Sequence, residues 1–97
     1  MEQIEFTYPA KRKVPKRAYV GVVGSGDMEV LLEPADDLVA HVFVRTSVDG
    51  FGASWKAVLD RFFANYDGAA RIEINDSGGT PGIVQLRLEQ AVEASEQ

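Results

Sequence analysis

Apolar and polar side chains alternate from the start of the chain. Ile4, Phe6 and Tyr8 fall on one side and Glu5 and Thr7 on the other, which predicts a strand over 4–8. Pro9 and the Lys/Arg/Pro stretch that runs to Lys16 interrupt it. A second run over 17–24 is rich in Val and Tyr, and a third alternates from Met28 to Glu33 around Val30 and Leu32. Both read as strands. The Gly24-Ser25-Gly26-Asp27 segment between them reads as a hairpin connection, because glycine takes positive φ without steric cost. A turn over Pro34 to Asp37 leads into Leu38–Thr46, whose β-branched content favours another strand.

Past Gly52 the period lengthens. Trp55, Val58, Leu59, Phe62, Phe63 and Tyr66 recur at helical spacing, predicting a helix near 54–66 with one buried face. Ser54 is placed to cap it, and Asp67-Gly68 to stop it. Alternation around Ile72 and Ile74 gives a strand over 70–76. Residues 82–95 fit two periods: Val84, Leu86 and Leu88 alternate, whereas Val84, Leu88, Ala91 and Val92 lie on one helical face. Length, composition and the Thr80-Pro81 start select the helix. The expected fold class is α+β: a two-layer sandwich, mainly an antiparallel sheet of about five strands with two helices on one face. Ninety-seven residues with no linker or repeat suit a single domain over 1–97.

Composition narrows the chemistry. There is no cysteine, and His41 is the only histidine. Disulfides, thiolate or multi-histidine metal sites and cysteine nucleophiles are therefore excluded, and no metal ligands or catalytic residues are expected. If the protein handles thioesters, the sulfur must come from a cofactor. The net charge of −5 is uneven: residues 1–17 hold five basic and two acidic side chains, and the other eighty hold five basic and thirteen acidic. An acidic body disfavours nonspecific nucleic-acid binding and suits basic partner surfaces. The basic segment reads as a solvated loop. No apolar run approaches the roughly 20 residues that span a bilayer, and no secretory signal is visible at Met1. The expectation is a cytoplasmic protein without a membrane or nucleic-acid partner.

Few residues present themselves for chemistry. Gly21, Gly24 and Gly26 are in the wrong order for a dinucleotide fingerprint, and a strand follows them where that motif needs a helix. No Gly-Lys-Ser/Thr follows, so a lysine-containing phosphate loop is excluded too. His41 sits mid-strand with no triad geometry implied, and Asp36 and Asp37 read as a solvated turn. Trp55, Phe62 and Phe63 are at core spacing. The loops Ser47–Gly52 and Asp76–Gly82 precede helices, where free amides can meet an anion; ordinary helix entry is the stronger reading.

The stretch from Val20 to Pro34, centred on Gly24, Ser25, Gly26 and Asp27, resembles the signature of the malonate decarboxylase acyl carrier (delta subunit) family. Thr46 to Gly50 with Trp55, and Gly79 to Val84 leading into Leu86–Gln90, are similar to the same family. The resemblance covers nearly the whole chain. It implies a non-catalytic carrier whose Ser25 holds a 2'-(5''-phosphoribosyl)-3'-dephospho-CoA group through a phosphodiester, with Gly24, Gly26 and Asp27 forming the attachment turn. It also implies partners: a prosthetic-group transferase, an acetyl-/malonyl-transferase subunit or malonyl-loading enzyme, and decarboxylase subunits. Acetyl and malonyl thioesters would travel on the arm while those partners perform the reactions. Asp27 could help recruit the transferase or orient Ser25, but the favoured reading is a turn residue whose side chain bonds nearby backbone amides.

A serine between two glycines at a hairpin tip is sterically open to a modifying enzyme, which is compatible with that role. The short Ser-Gly-Asp motif is also similar to the acyl carrier (gamma) chain of citrate lyase. An unmodified small protein-binding domain is the reading from another class. Carriers of the fatty-acid type differ, since they are helical bundles with an Asp-Ser-Leu motif opening a helix.

Overall fold

The computed structural model describes residues 2–21, 27–47, 50–78 and 81–96. In chain order the elements are β1 (Glu2–Pro9), β2 (Arg12–Lys13), β3 (Ala18–Gly21), β4 (Asp27–Pro34), β5 (Val39–Thr46), α1 (Gly52–Phe63), β6 (Gly68–Ser77) and α2 (Pro81–Glu96). The sheet order is β1-β5-β6-β4-β3, with β2 pairing β6 off that path. The α+β class and the two helices are as the sequence predicts. Three of the long pairings are antiparallel: β1 with β5, β4 with β6, and β3 with β4. The connection through α1 makes β5 and β6 parallel neighbours, with Val42 opposite Ile72 and Val44 opposite Ile74. A parallel pair needs such a long crossover, whereas the antiparallel pairs are joined by turns or by the sheet itself.

The core lies on one face of this sheet. Met28, Val30 and Leu32 of β4, Val42 and Val44 of β5, and Ile72 and Ile74 of β6 are all buried and share that face by strand alternation. Trp55 and Leu59 of α1 and Val84, Leu88 and Ala91 of α2 close the same cluster. Each fully buried Leu or Ile here stabilises the fold by about 1.5–3 kcal/mol. The choice between strand and helix at 82–95 resolves through burial. Val84, Leu88, Ala91 and Ser95 point inward at helical intervals, while Leu86 is 45% exposed. A strand would have buried Leu86 with Val84.

Two local expectations are corrected. The helix α1 begins two residues before Ser54, since the Trp55 amide donates to the Phe51 carbonyl at 3.0 Å and Phe51 occupies the capping position without a side-chain bond. Ser54 is an exposed first-turn residue. The helix also stops before Asp67-Gly68: Ala64 N bonds to Asp60 O and Asn65 N to Phe62 O, tightening the last turn. Tyr66 lies beyond the helix yet stays buried. Gly68 is a packing glycine at the start of β6, because a Cβ there would collide with the Tyr66 phenol and lie 2.9 Å from Val14.

The basic N-terminal segment is not wholly a solvated loop. Arg12 and Lys13 form β2 beside Gly68 and Ala69, and Arg12 makes 2.7 Å ion pairs with both Asp67 and Glu96. Arg12 also sits 5.5 Å from the Tyr66 ring centroid. These contacts lock the β2 segment to the end of α2. Nearby, Tyr8 stacks on Phe63 at 4.3 Å, and its hydroxyl donates to Asp60 at 2.7 Å, joining β1 to α1. Burial, then the bond to Asp60, raises the Tyr8 phenol above its ordinary pKa. The Lys56 ammonium, then the Tyr8 hydroxyl, hold the Asp60 carboxyl below the usual carboxylate range.

Candidate functional site

Strand directions gather one set of chain ends at one rim of the sheet. Asp27 opens β4 opposite Ser77 at the end of β6. Thr46 closes β5 opposite Asp76 on one side and Glu2 on the other. Gly21 closes β3 opposite Glu29. Because α1 follows β5 and α2 follows β6, both helices also begin from this rim. The segment 22–26 therefore leaves from Gly21 and returns at Asp27 on the rim that carries the carboxyl ends of the two parallel strands. Ligands of sheet proteins gather at such rims, where loops can vary without disturbing the ladders.

Of the sequence-predicted site, Gly24, Ser25 and Gly26 lie outside the described residues. Asp27 is placed by its backbone, as the first residue of β4 in the ladder with β6. The sequence reading missed three features around this rim.

Gly21 is the first. Its φ is +99°, and an added Cβ would collide with the Met28 carbonyl oxygen and come within 2.9 Å of Glu29 Cα. Only glycine fits there, so the strand can turn out of the sheet while its neighbour stays close. A glycine inside a Val-rich run was the available signal.

The second feature is a buried polar pair. Thr46 Oγ1 donates to Asp76 Oδ2 at 2.8 Å, with Thr46 1% and Asp76 8% exposed. The Ser47 amide donates to the Asp76 carbonyl at 3.2 Å. These groups occupy core-face positions of β5 and β6 at the rim, where a hydrophobic pair would be expected from alternation. A carboxylate placed there must be hydrogen-bonded to be tolerated. It ties together the two strands from which the loops before α1 and α2 depart.

The third lies on the opposite face. Tyr19 Oη donates to Glu29 Oε2, and Asn75 Nδ2 donates to Glu29 Oε1 at 2.8 Å. One carboxylate thus links β3, β4 and β6. The hydrogen bond that the Tyr19 hydroxyl donates to Glu29, then desolvation and the Glu29 charge, raise the pKa of this exposed phenol. Near the same rim, the Gly50 amide donates to Glu2 Oε1 at 3.2 Å, fastening the loop before α1 to β1.

The other singled-out groups sit elsewhere. His41 Nε2 lies 2.9 Å from Asp37 Oδ2 near the opposite rim, and Asp36 is exposed in the same turn. Trp55, Phe62 and Phe63 pack with the core. Among the described residues no group of three or more His, Cys, Asp or Glu side chains is placed to hold a metal ion. Nor is any helix among them long and apolar enough to cross a membrane.

Comparison with known proteins gives one consistent result. The family described as "Malonate decarboxylase delta subunit (MdcD)" matches residues 15–95. A malonate decarboxylase acyl carrier protein of Azotobacter vinelandii is 47% identical over 94 residues, covering 96% of this chain and 95% of its own length. One from Pseudomonas aeruginosa (strain UCBPP-PA14) is 50% identical with the same coverage. One from Klebsiella pneumoniae is 46% identical. Among solved structures, a chain in the crystal structure of a Pseudomonas malonate decarboxylase hetero-tetramer in complex with malonate superposes with a TM-score of 0.93. It shares 45% identity and covers 97% of this chain and 98% of its own.

Proposed function

This chain belongs to the malonate decarboxylase delta subunit family, and on that premise we propose that it is the acyl carrier subunit of a malonate decarboxylase. In this reading the whole chain, 1–97, is one carrier domain without catalytic residues of its own. Ser25 is the attachment point of a 2'-(5''-phosphoribosyl)-3'-dephospho-CoA group, joined through a phosphodiester, with Gly24, Gly26 and Asp27 as its turn. When bound, that group supplies a terminal thiol on which acetyl and malonyl units travel as thioesters. The protein works in the cytoplasm with a prosthetic-group transferase, an acetyl-/malonyl-transferase subunit or malonyl-loading enzyme, and decarboxylase subunits.

The observation that carries the proposal is the near full-length match to proteins named as acyl carriers of this enzyme. The fold is compatible with such an attachment. Gly21 and Asp27, the described residues on either side of the segment that holds Ser25, pair with Glu29 and Ser77 at the rim of the sheet, whereas the core lies between the sheet and the helices. What the chain itself contributes is position: tethering raises the effective concentration of the acyl group at each partner site. Charge stabilisation during decarboxylation requires preorganised donors in a closed site, which falls to the partner subunits.

Intact-mass measurement tests the proposal directly. The protein, purified from cells that co-express the enzymes that make and transfer the prosthetic group, is expected to gain the mass of one such group. The Ser25→Ala variant is expected to gain none. An unmodified wild-type mass, with the transferase active on another carrier, refutes the attachment.

A further inference from the structure

Strand alternation gives the sheet two faces, and the helices cover one. The other carries Tyr19, Glu29, Leu31, Phe43, Arg71, Glu73 and Asn75, and no element among the described residues packs over it. Most of this face is what an exposed antiparallel sheet ordinarily shows. Its Phe43 ring lies under the Arg71 guanidinium at 4.2 Å, so that cation is already engaged. The part next to the rim is organised differently.

Glu29 is held there by two neutral donors, the Tyr19 hydroxyl on one oxygen and the Asn75 amide on the other. Both bonds fix the carboxylate without neutralising it, and among the described residues no cation lies within ion-pair distance of it. Each carboxylate oxygen keeps a lone pair for a further donor. Tyr19 is 57% exposed, yet its hydroxyl is anchored, so its ring is a fixed aromatic surface that loses little freedom when covered. Leu31 is half-buried between Tyr19 and Glu73 in the ladder and supplies apolar area beside the charge. Glu29 is also the register partner of Gly21, the last described residue before the segment that contains Ser25.

We infer that the Tyr19–Glu29–Asn75 patch is the docking surface for a catalytic subunit of the complex, recognised by an arginine of that subunit that pairs with Glu29 and lies against the Tyr19 ring. Arginine meets both requirements at once: its planar fork matches a carboxylate, and its face stacks on an aromatic ring. The acidic excess of the chain beyond residue 17 favours a basic partner on approach. Location adds the remaining argument. A partner that receives the acyl group must come to the rim bearing residues 22–26, and the face of β3 and β4 beside that rim is free of the helices. This inference rests on the carrier reading, but it concerns docking rather than attachment.

The test uses the modified protein titrated onto the other subunits of its own complex at two ionic strengths. Glu29→Gln preserves shape and is expected to weaken association about tenfold and to flatten its salt dependence. Tyr19→Ala, a substitution at an exposed position, is expected to weaken it by a similar factor, and Glu89→Gln on the exposed side of α2 not at all. Glu29→Gln binding as the wild type overturns the inference, as does an equal loss with Glu89→Gln. If the variants dock normally but are modified more slowly, the patch belongs to the prosthetic-group transferase and the inference is again overturned. The intact mass of each preparation reads the Ser25 attachment separately, so failure of the carrier reading shows there and not in the titration.

Discussion

Replacing Gly21 by alanine should be among the most damaging single-methyl changes available in this protein. The residue sits at φ +99°, a conformation that costs an L-residue about 1–2 kcal/mol. A Cβ there would also run into the Met28 carbonyl oxygen and approach Glu29 Cα to 2.9 Å. Both obstacles are backbone, so relief requires β3 and β4 to move apart at their pairing. Allowing about 1 kcal/mol for that displacement brings the total to roughly 2–3 kcal/mol, near the upper end of ordinary point mutations. In a domain of this size each kcal/mol lowers Tm by about 4–8 °C, so Gly21→Ala is expected to melt roughly 10–20 °C below the wild type.

Gly50 supplies the internal control. Its φ of +88° carries the same conformational cost, but an added Cβ meets nothing within 4 Å. Gly50→Ala is therefore expected to lose about half as much. Differential scanning calorimetry of the three proteins in one buffer makes the comparison. Equal losses in the two variants would refute the steric part of the argument, and a Gly21→Ala protein melting within about 2 °C of wild type would refute all of it.

Other outcomes follow from the same geometry. Tyr66 Oη is buried with no well-formed hydrogen bond among the described residues, since the neighbouring Ser95 hydroxyl donates to the Val92 carbonyl at 2.8 Å. Tyr66→Phe is expected to be neutral or to stabilise by about 1 kcal/mol in denaturant titrations, because the ring packing remains and an unsatisfied group is removed. Thr46→Val removes one donor to the buried Asp76 carboxylate and should cost about 1.5–3 kcal/mol by the same assay, with Thr46→Ser recovering part of it. The Asp60 carboxyl is held below its ordinary value in the folded chain, first by Lys56 and then by Tyr8. A depressed carboxyl contributes stability above its unfolded value that disappears as pH falls through the folded one. The Tm difference between wild type and Asp60→Asn is thus expected at about pH 6 and should vanish near pH 2; a difference that persists in acid would contradict the linkage.

Periodicity in the sequence specified most of the elements, because burial of one face imposes a period of two on strands and 3.6 on helices. The alternations at Ile4–Tyr8, Met28–Glu33 and 70–76 became β1, β4 and β6, and the spacing from Trp55 to Phe63 became α1. The family resemblance was legible too, since the residues that carry it lie close together in the sequence, and the family match over residues 15–95 agrees with it, while Gly24, Ser25 and Gly26 lie outside the described residues. Helix boundaries were less so: Ser54 resembles a cap and Asp67-Gly68 a stop, but backbone hydrogen bonds to Phe51 and the close packing of Tyr66 on Gly68 set the actual limits.

Only the tertiary structure decided what depends on residues far apart in the chain. The parallel pairing of β5 with β6 brings Thr46 to Asp76, and no local pattern marks those two as partners. The two-residue strand at Arg12 exists because Gly68 and Asp67 lie beside it and Glu96 closes over it. Glu29 reads as a solvent-side residue in an alternating strand until Tyr19 and Asn75 arrive from either side and hold both its oxygens. Sequence fixes which face a side chain takes, because alternation is a property of one strand; register between strands, which is global, fixes the neighbour it meets there.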